Sequence, residues 1–458
     1  MNLEGKRVTV VGLGLSGSAL VKFLASRGAL VGVSESAPRL GFEHWLKVNA
    51  SLLERTEFGG HTEAFLVSSD LVVLSPGVRP DLAPVAAAAQ RGVAVVGELE
   101  VALDGCAARV AAVTGTNGKT TTTALLGHLL ATAGVPCTVA GNIGIPVSGV
   151  VDEVGAGHAL VLEVSSFQLD SAPSFHPSVA VLLNVTPDHQ DRYPSLEAYA
   201  ASKARIFANQ GPADFAILNR GDGRCTQLAP ALKARVRWFD ADSAGIEGAG
   251  LDADWLTLCE GGRRSRILPA ADLAIPGRHN LENALAACAA AGALGVAPGA
   301  LAEGLRTFRG VEHRLEPVGE IGDVRFVNDS KATNTDALEK ALLAFREPVV
   351  LIAGGRDKNL DFTKLKDLIA ARVKAVVLIG EAAGKIESAW RGAAPMRNAA
   401  TIEEAVETGY ELARPKGLVL LSPGCASYDM FRNFEDRGRR FREAVGRLAS
   451  RGGFRARA

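Results

Sequence analysis

The stretch Thr114-Gly115-Thr116-Asn117-Gly118-Lys119-Thr120-Thr121-Thr122 follows a short apolar run and leads into a helical pattern. Its glycines allow backbone N–H groups to close around phosphates, and the dipole of the helix N-terminus favours the same negative charge. In such a loop Lys119 neutralises the β- and γ-phosphates, and the Thr120 hydroxyl reaches a magnesium ion. The motif is a shortened G-x-x-G-K-T, since Val113 holds the place of the earlier glycine. The alternative is a glycine-rich turn with an exposed lysine, but the strand–loop–helix context favours phosphate binding.

Two further strand-like runs downstream of this loop end in polar groups. One leads into Glu163 and the other into Thr186-Pro187-Asp188-His189. The carboxyl ends of parallel strands share one edge of a sheet, so both side chains are expected near the phosphate loop. A carboxylate is a natural magnesium ligand and imidazole a less usual one. Taken alone, Glu163 could instead be a helix N-terminal charge, and His189 a turn residue.

A second glycine motif, Gly12-Leu13-Gly14-Leu15-Ser16-Gly17, follows the first strand-like run, and Glu35 comes about 20 residues later. This pattern favours a diphosphate at a helix N-terminus with the carboxylate on a ribose hydroxyl. A nucleotide-sugar diphosphate fits it as well as a dinucleotide does, and tight strand–helix packing alone could demand the glycines. The turn Ser75-Pro76-Gly77 ends another strand of this block and is expected to line the same pocket.

Three polar loops follow strands near the C-terminus of the chain. They are Asn328–Asn334, Gly354–Lys358 and Ser422–Asp429. Loops at strand ends are typical of a small-molecule site. Each loop by itself could be no more than a turn.

Short apolar runs alternate with helical patterns along all 458 residues, which predicts an α/β fold with mainly parallel sheets. Boundaries near Gly105 and Gly310 divide the chain into residues 1–104, 105–310 and 311–458. The predicted strands are Arg7–Val11, Leu30–Val33, Leu71–Leu74, Val93–Val96, Arg109–Val113, Ala159–Leu162, Val179–Val185, Asp214–Leu218, Val324–Val327, Pro348–Ala353, Ala375–Ile379 and Leu418–Leu421.

The composition excludes several classes of protein. Lysine plus arginine and aspartate plus glutamate both number 50, and this zero net charge argues against a nucleic-acid binder. The six cysteines form no C-x-x-C pair, which indicates neither zinc nor a disulfide framework. No apolar run is long enough to span a membrane. We therefore expect a cytoplasmic protein, with the arginine-rich C-terminus as a solvated helix face.

Together these stretches resemble the Mur ligase family over nearly the whole chain. The resemblance rests on the phosphate loop and on five further stretches: Asn184–Arg192, Ala201–Phe207, Pro276–Ala284, Glu312–Glu316 with Asn328–Asn334, and Ser427–Gly438. The last is similar to the segment typical of the glutamate-adding members of the family.

The resemblance implies three domains: a Rossmann-like UDP-binding domain, a central P-loop-type ATPase domain and a Rossmann-like glutamate-binding domain. It implies addition of D-glutamate to UDP-N-acetylmuramoyl-L-alanine through an acyl phosphate, driven by ATP, in cytoplasmic peptidoglycan precursor synthesis. A monomer and two magnesium ions are expected. Because the third domain must approach the second to assemble the site, we expect a hinge near Phe308–Glu312.

The resemblance also assigns roles to residues. Magnesium is assigned to Thr120, Glu163, His189 and Lys203, the last as a carbamate, and Lys119, Glu163, His189 and Lys203 are the catalytic set. ATP is assigned to Gly115, Thr116, Asn117, Gly118, Lys119, Thr120, Thr121, Asn280, Asn283, Arg314 and Asp329. The UDP substrate is assigned to Gly14, Leu15, Ser16, Gly17, Glu35, Ser36, Ser75, Pro76, Gly77, Asn142, Ser165 and His189. Glutamate is assigned to Lys331, Thr333, Lys358, Ser427 and Phe434.

Three rival functions remain open at this point. A sibling ligase could add another amino acid or act on folate, against which the Ser427–Phe434 segment argues. A nucleotide-binding regulator would bind ATP without turnover. An NAD-dependent oxidoreductase would use the Gly12–Gly17 motif, but the phosphate loop in the next domain argues against this function.

Overall fold

A computed structural model describes residues 1–189, 192–275, 277–357 and 360–451. The chain divides into two compact units. The first comprises Met1–Leu273 with Glu282–Thr307, and the second comprises Ala274–Leu281 with Phe308–Ala458. The predicted hinge begins where the second unit resumes at Phe308; the hinge and the three-domain boundaries stay predictions.

The first unit opens with a parallel sheet whose strand order is β3-β2-β1-β4-β5. Its strands are β1 (Arg7–Val11), β2 (Leu30–Glu35), β3 (Leu53–Phe58), β4 (Leu71–Leu74) and β5 (Ala94–Gly97). Its helices are α1 (Leu15–Ser26), α2 (Glu43–Asn49), α3 (Glu63–Val67), α4 (Ala83–Gln90) and α5 (Glu98–Ala102). The strand order reverses between β1 and β4, and ligands bind at such a switch point.

A larger sheet of the same unit has the order β14-β13-β12-β11-β10-β9-β6-β8-β7. Its strands are β6 (Arg109–Thr114), β7 (Cys137–Gly141), β8 (Ala159–Glu163), β9 (Val179–Leu182), β10 (Phe215–Asn219), β11 (Arg235–Asp240), β12 (Gly248–Asp252), β13 (Trp255–Glu260) and β14 (Arg263–Pro269). The accompanying helices are α6 (Lys119–Thr132), α7 (Ser166–Asp170), α8 (Leu196–Ala204), α9 (Gly223–Leu228), α10 (Arg278–Ala293) and α11 (Pro298–Thr307). Pairing is parallel from β7 to β12 and antiparallel from β12 to β14.

The second unit contains a sheet of order β15-β16-β20-β17-β18-β19. Its strands are β15 (Glu316–Ile321), β16 (Asp323–Asn328), β17 (Val349–Gly354), β18 (Val373–Ile379), β19 (Met396–Asn398) and β20 (Lys416–Leu421). Its helices are α12 (Thr335–Leu343), α13 (Lys366–Arg372), α14 (Ala383–Ala389), α15 (Ile402–Ala413) and α16 (Phe434–Arg451). Among the described strands of this sheet, only the pair β15–β16 is antiparallel.

Buried parallel strands explain why the apolar runs of the sequence became the sheet interiors. Strands β4, β8 and β17 are buried at every position, because helices cover both faces of a parallel sheet. The predicted α/β class with mainly parallel sheets is confirmed. The run predicted as Val179–Val185 ends as a strand at Leu182, since the following residues turn onto the phosphate loop.

Candidate active site

The phosphate loop joins β6 to α6 in the conformation that its glycines permit. Gly115 has φ of +154° and Gly118 has φ of +86°, a left-handed conformation that favours glycine. Lys119 folds back over the loop, and its Nζ donates to the carbonyl oxygens of Gly115 and Thr116, both at 2.8 Å. The first-turn N–H groups of α6 have no partner within the helix, as at any helix start. The loop therefore offers a cation and backbone donors to an anion.

Asn184, just after β9, holds the apex of this loop. Its Oδ1 accepts from the Asn117 backbone N–H at 2.9 Å, and its Nδ2 donates to the Asn117 carbonyl at 3.1 Å. Its own carbonyl accepts from the Thr116 N–H at 3.0 Å. The Thr116 hydroxyl in turn donates to the carbonyl of Thr186 and accepts from its N–H. Five hydrogen bonds thus fix the loop to the end of the neighbouring strand.

Glu163 ends β8 beside the loop, in register with Val113 of β6. The side chain is 2% exposed. Its Oε1 accepts from Asn142 Nδ2 at 2.8 Å, whereas its Oε2 is buried with no hydrogen-bond partner among the described residues. A buried carboxylate oxygen is costly unless it is paired or holds a metal ion. The free oxygen therefore fits the magnesium ligand that the sequence predicts.

Lys203, on α8, reaches the loop from the other side. Its side chain is 1% exposed, and Nζ donates to the Gly115 carbonyl at 2.7 Å. Burial, reinforced by the nearby Lys119 ammonium, lowers the pKa of Lys203 to about 6. Nζ lies 4.4 Å from the ring centroid of Tyr199. This lysine is therefore mostly neutral at physiological pH, unlike an ordinary surface lysine.

His189 lies in an aromatic cluster at the same sheet edge. Its ring centroid is 4.8 Å from that of Phe167 and 6.0 Å from that of Tyr199. Its backbone has φ of +51°, a conformation rare for residues other than glycine. The neighbouring Gln190 and Asp191 lie outside the described residues. Since Tyr199 also contacts Lys203, the two predicted metal ligands share a neighbour.

Two more predicted residues, Ser165 and Asn283, have defined places in the unit that carries this loop. Ser165 caps α7 in a reciprocal capping box with Gln168. Asn283, on α10, lies against the loop, because a Cβ on Gly118 would come within 2.3 Å of its Oδ1. The hydroxyl of Thr122 also donates to this oxygen at 3.3 Å. Asn280 lies on the same helix in the segment that belongs to the second unit.

The switch point of the first sheet brings together the loops after β1 and β4. The hydroxyl of Ser75 donates to the Gly12 carbonyl at 2.7 Å. A Cβ on Gly17 would lie 2.0 Å from that same carbonyl oxygen, so only glycine fits there. Gly14 caps α1, and Leu15, the first residue of that helix, is 80% exposed.

Glu35, at the end of β2, accepts hydrogen bonds from neighbouring residues with both of its carboxylate oxygens. Its Oε2 accepts from the Leu13 N–H at 2.6 Å, and its Oε1 accepts from the Ala37 N–H and the Ser36 hydroxyl at 2.9 and 3.1 Å. Burial is the largest single influence on the pKa of Glu35 and raises it, but these three hydrogen bonds, with the nearby His61, together outweigh burial, so the pKa is lowered. The carboxylate thereby shapes the glycine loop, and its predicted contact with a ribose stays a prediction.

In the second unit, Asp329 follows β16 and supports an unusual turn at 313–315. Its Oδ1 accepts from the Leu315 N–H at 3.2 Å, and its Oδ2 accepts from the Ser422 hydroxyl at 2.8 Å. Burial raises the pKa of Asp329 to about 6, although Arg314 opposes the shift. His313 and Leu315, which flank Arg314, have φ of +64° and +44°. The carboxylate therefore helps to hold the strained turn that presents Arg314.

Arg437, on α16, joins two loops that carry predicted glutamate-binding residues. It is fully buried, and its guanidinium donates to the hydroxyl and carbonyl of Ser330, at 2.9 and 2.7 Å. It also donates to the carbonyls of Cys425 and Ala426, at 3.1 and 3.3 Å. The first loop continues into Lys331 and the second into Ser427, so one side chain fixes both.

The other predicted glutamate-binding residues of this unit are only partly brought together. Lys331 Nζ lies 5.5 Å from the ring centroid of Phe434 at the start of α16. Ser427 is buried, and its carbonyl accepts from the N–H groups of Met430 and Phe431. Thr333 is half-buried ahead of α12, and Lys358 lies outside the described residues.

Three family models match this chain in order. They are a MurD-like N-terminal domain over residues 6–97, the Mur ligase middle domain over 113–291, and the Mur ligase glutamate ligase domain over 313–425. The chain belongs to the Mur ligase family.

Named relatives of this Mur ligase cover almost its whole length. A UDP-N-acetylmuramoylalanine--D-glutamate ligase from Pelotomaculum thermopropionicum is 44% identical over 96% of this chain and 97% of its own. An enzyme of the same name from Desulfitobacterium hafniense is 45% identical over 98% of this chain and 99% of its own.

Solved structures share the fold at low identity. A UDP-N-acetylmuramate-alanine ligase from Thermotoga maritima aligns with a TM-score of 0.61 at 20% identity, covering 97% of this chain and all of its own. A pseudomurein peptide ligase from Methanothermus fervidus aligns with a TM-score of 0.60 at 18% identity, over 97% of this chain and all of its own. At this identity the likeness concerns the fold alone.

Two residues of this Mur ligase carry structure that the sequence did not assign to them. Asn184 fixes the phosphate loop, and Arg437 fixes the loops that follow β16 and β20. The signal for Asn184 was its place directly after a buried strand next to β6. Arg437 lies inside the Ser427–Gly438 stretch on which the resemblance rests, but no role was assigned to it there.

Among the residues that the structure describes, this Mur ligase has no group of three or more His, Cys, Asp or Glu side chains arranged to hold a metal ion. The predicted metal set needs no such group, since it combines one carboxylate with a hydroxyl, an imidazole and a lysine. Within the same residues, no helix has the length and apolar character needed to cross a bilayer.

Proposed function

We propose that this chain is an ATP-dependent ligase that adds D-glutamate to UDP-N-acetylmuramoyl-L-alanine in peptidoglycan precursor synthesis. The reaction is supported by relatives of that name at 41–45% identity over nearly the full chain. The observation that carries the chemistry is the meeting of three groups at the end of β6. They are the phosphate loop, the unpaired oxygen of Glu163 and the neutral amine of Lys203.

The chemistry has two steps. An oxygen of the alanine carboxylate attacks the γ-phosphorus of ATP, and the bond from that phosphorus to the oxygen bridging it to the β-phosphate breaks. ADP departs, and the alanine carboxylate has become an acyl phosphate. The amine of glutamate then attacks the acyl carbon, phosphate departs, and the amide forms with loss of the amine proton. Lys119 and the backbone amides of the loop stabilise the negative charge on the transferred phosphoryl group.

Magnesium is the proposed cofactor, with Thr120, Glu163, His189 and Lys203 as candidate ligands for two ions. The fit rests on the free oxygen of Glu163, which is buried in a place where a bare carboxylate is costly. When bound, the metal supplies positive charge that offsets the charge on the phosphates.

Carbamylation of Lys203 is proposed because only a neutral amine attacks carbon dioxide. The low pKa of Lys203 supplies that neutral form at physiological pH. The product is a carbamate, which replaces a cation by an oxygen ligand of negative charge suited to magnesium. The amine loses one proton as the nitrogen–carbon bond forms.

Substrate contacts are proposed for the other residues that the resemblance assigns. The loops at Gly14–Gly17 and Ser75–Gly77 would hold the UDP part, with Glu35 and Ser36 beside it, and Asn142, Ser165 and His189 would contact the muramoyl-alanine arm. Asn280, Asn283, Arg314 and Asp329 would contact the nucleotide. Lys331, Thr333, Ser427 and Phe434, with Lys358, would contact the two carboxylates of glutamate, which suit lysines and a hydroxyl. We also propose a cytoplasmic monomer that serves cell-wall growth, and through it cell shape and division.

The test is phosphate release from ATP in the presence of UDP-N-acetylmuramoyl-L-alanine, with D-glutamate, L-glutamate or neither, and mass detection of the amide. Release and product with D-glutamate alone are expected. Product with L-glutamate alone would keep the mechanism but contradict the stereochemistry. Absence of product with either would contradict the proposed function.

A further inference from the structure

A short segment at the end of the first sheet contacts the second sheet's domain at three points. This linking segment, Gly97–Glu100, consists of the last residue of β5 and the first three residues of α5. The Gly97 N–H donates to the Ser171 carbonyl at 2.6 Å, and Glu100 Oε2 accepts from the Ser174 N–H at 2.9 Å. The third contact is made by Glu98. All these residues belong to the first compact unit.

Glu98 is the member of the linking segment whose side chain is buried, at 2% exposure. A single oxygen, Oε1, accepts from both the N–H and the hydroxyl of Ser148, at 3.0 and 2.7 Å. The other oxygen is buried and has no hydrogen-bond partner among the described residues. A carboxylate pays a large desolvation penalty for such a position. The two bonds to Ser148 are therefore the main compensation that the structure shows.

Ser148 ends a loop whose other end is fixed to Glu163. In this loop, residues 141–148, the Asn142 N–H donates to the Glu163 carbonyl at 2.9 Å, and Asn142 Nδ2 donates to Glu163 Oε1 at 2.8 Å. Gly141 packs so closely that a Cβ there would lie 2.4 Å from the Glu163 carbonyl oxygen. The loop is therefore held at one end by the candidate metal ligand and at the other by Glu98.

We propose that Glu98 is a positioning residue that sets the 141–148 loop, and with it Asn142, for the muramoyl-alanine arm of the substrate. It acts through Ser148 and does not contact the reacting atoms. The inference rests on the proposed function for the identity of the substrate, but not for the effect on the loop itself. It makes the first sheet, which carries the UDP crevice, responsible for placing a loop of the next domain.

The kinetic test compares Glu98→Ala with Glu98→Gln, Ser148→Ala and the control Glu100→Ala. Loss of a hydrogen bond to a charged acceptor predicts that Glu98→Ala raises KM for UDP-N-acetylmuramoyl-L-alanine about tenfold. KM for ATP should change less than about twofold, since the phosphate loop is held by Asn184 instead. In Glu98→Gln the amide oxygen can still accept both hydrogen bonds, so KM for UDP-N-acetylmuramoyl-L-alanine should stay near the wild-type value. The control Glu100→Ala should have the same KM as the wild type. Ser148→Ala should give an intermediate rise.

A second test needs no substrate. Hydrogen–deuterium exchange of the ligand-free protein should be faster in peptides covering 141–150 for Glu98→Ala and unchanged in those covering 113–122. Equal changes in both regions, or Glu98→Gln as impaired as Glu98→Ala, would overturn the positioning role. Failure of the wild-type protein to make product would refute the proposed function alone, because the exchange result would still decide whether Glu98 holds the loop.

Discussion

Replacing Lys203 by methionine should make the stability of the protein less dependent on pH. Methionine fills a similar volume without a titratable group. In the wild type the folded state holds this lysine at a pKa of about 6, because of burial and the adjacent Lys119. In the unfolded chain the ordinary value of 10.5 applies. Between these two values the unfolded chain therefore carries one more proton than the folded protein, and raising the pH stabilises the fold.

The magnitude follows from this difference. Each pH unit inside the window contributes about 1.4 kcal/mol to the free energy of unfolding. From about pH 6.5 to about pH 8.5 the free energy of unfolding of the wild type should rise by about 2.5 kcal/mol more than that of Lys203→Met. This figure allows for partial protonation of Lys203 at the lower pH. The variant should also be the more stable of the two near neutral pH, because it no longer keeps a buried amine uncharged, although it loses the bond to the Gly115 carbonyl.

The assay is equilibrium urea unfolding of both proteins at each pH, in buffer freed of carbon dioxide so that no carbamate forms. Comparing the two proteins at the same pH cancels the other titrating groups. Lys22→Met, at an exposed position of α1, controls for the loss of a lysine. If the free energies of unfolding of the wild type and Lys203→Met differ by the same amount at every pH in this range, the assignment of Lys203 as a buried neutral lysine is refuted. Addition of ¹³C-bicarbonate should then give a carbamate NMR signal in the wild type only.

Three further substitutions test the clamps and the metal ligand. Gly118→Ala should lower kcat/KM for ATP more than about tenfold, because its Cβ would lie 2.3 Å from Asn283 Oδ1 and the backbone is left-handed there. The control Gly134→Ala has the same left-handed backbone without a close contact, and its kcat/KM should stay near that of the wild type. Arg437→Met should lower the free energy of unfolding of the second unit by roughly 3 kcal/mol in thermal unfolding, because buried carbonyl groups lose their donor. Arg439 is half-exposed, and the control Arg439→Met should lower the same free energy by less than about 1 kcal/mol. Glu163→Gln should weaken magnesium binding at least about tenfold in calorimetry with nucleotide present, with unchanged affinity contradicting the ligand assignment.

The strands that the sequence predicted are those with continuous apolar runs, and each overlaps an observed strand. The strands it missed are mixed in polarity, such as Leu53–Phe58 at the edge of the first sheet and Arg235–Asp240 in the second. Leu53–Phe58 is an edge strand, and such a strand has a neighbour on one side only, so its sequence need not be apolar. Arg235–Asp240 is an interior strand of the second sheet, and its charged residues interrupt the apolar pattern. The antiparallel extension β12–β14 was missed because glycines and arginines interrupt it.

The sequence by itself determined the phosphate loop, because its glycines, lysine and threonine are adjacent and their geometry is local. It also placed Glu163 at a strand end beside that loop. Only the tertiary structure decided that Lys203, 88 residues from Gly115, bonds to its carbonyl, and that Glu98 accepts two hydrogen bonds from Ser148. Such contacts depend on which strands become neighbours. The low pKa of Lys203 and the unpaired oxygens of the two glutamates depend on burial, and burial exists only once the chain has folded.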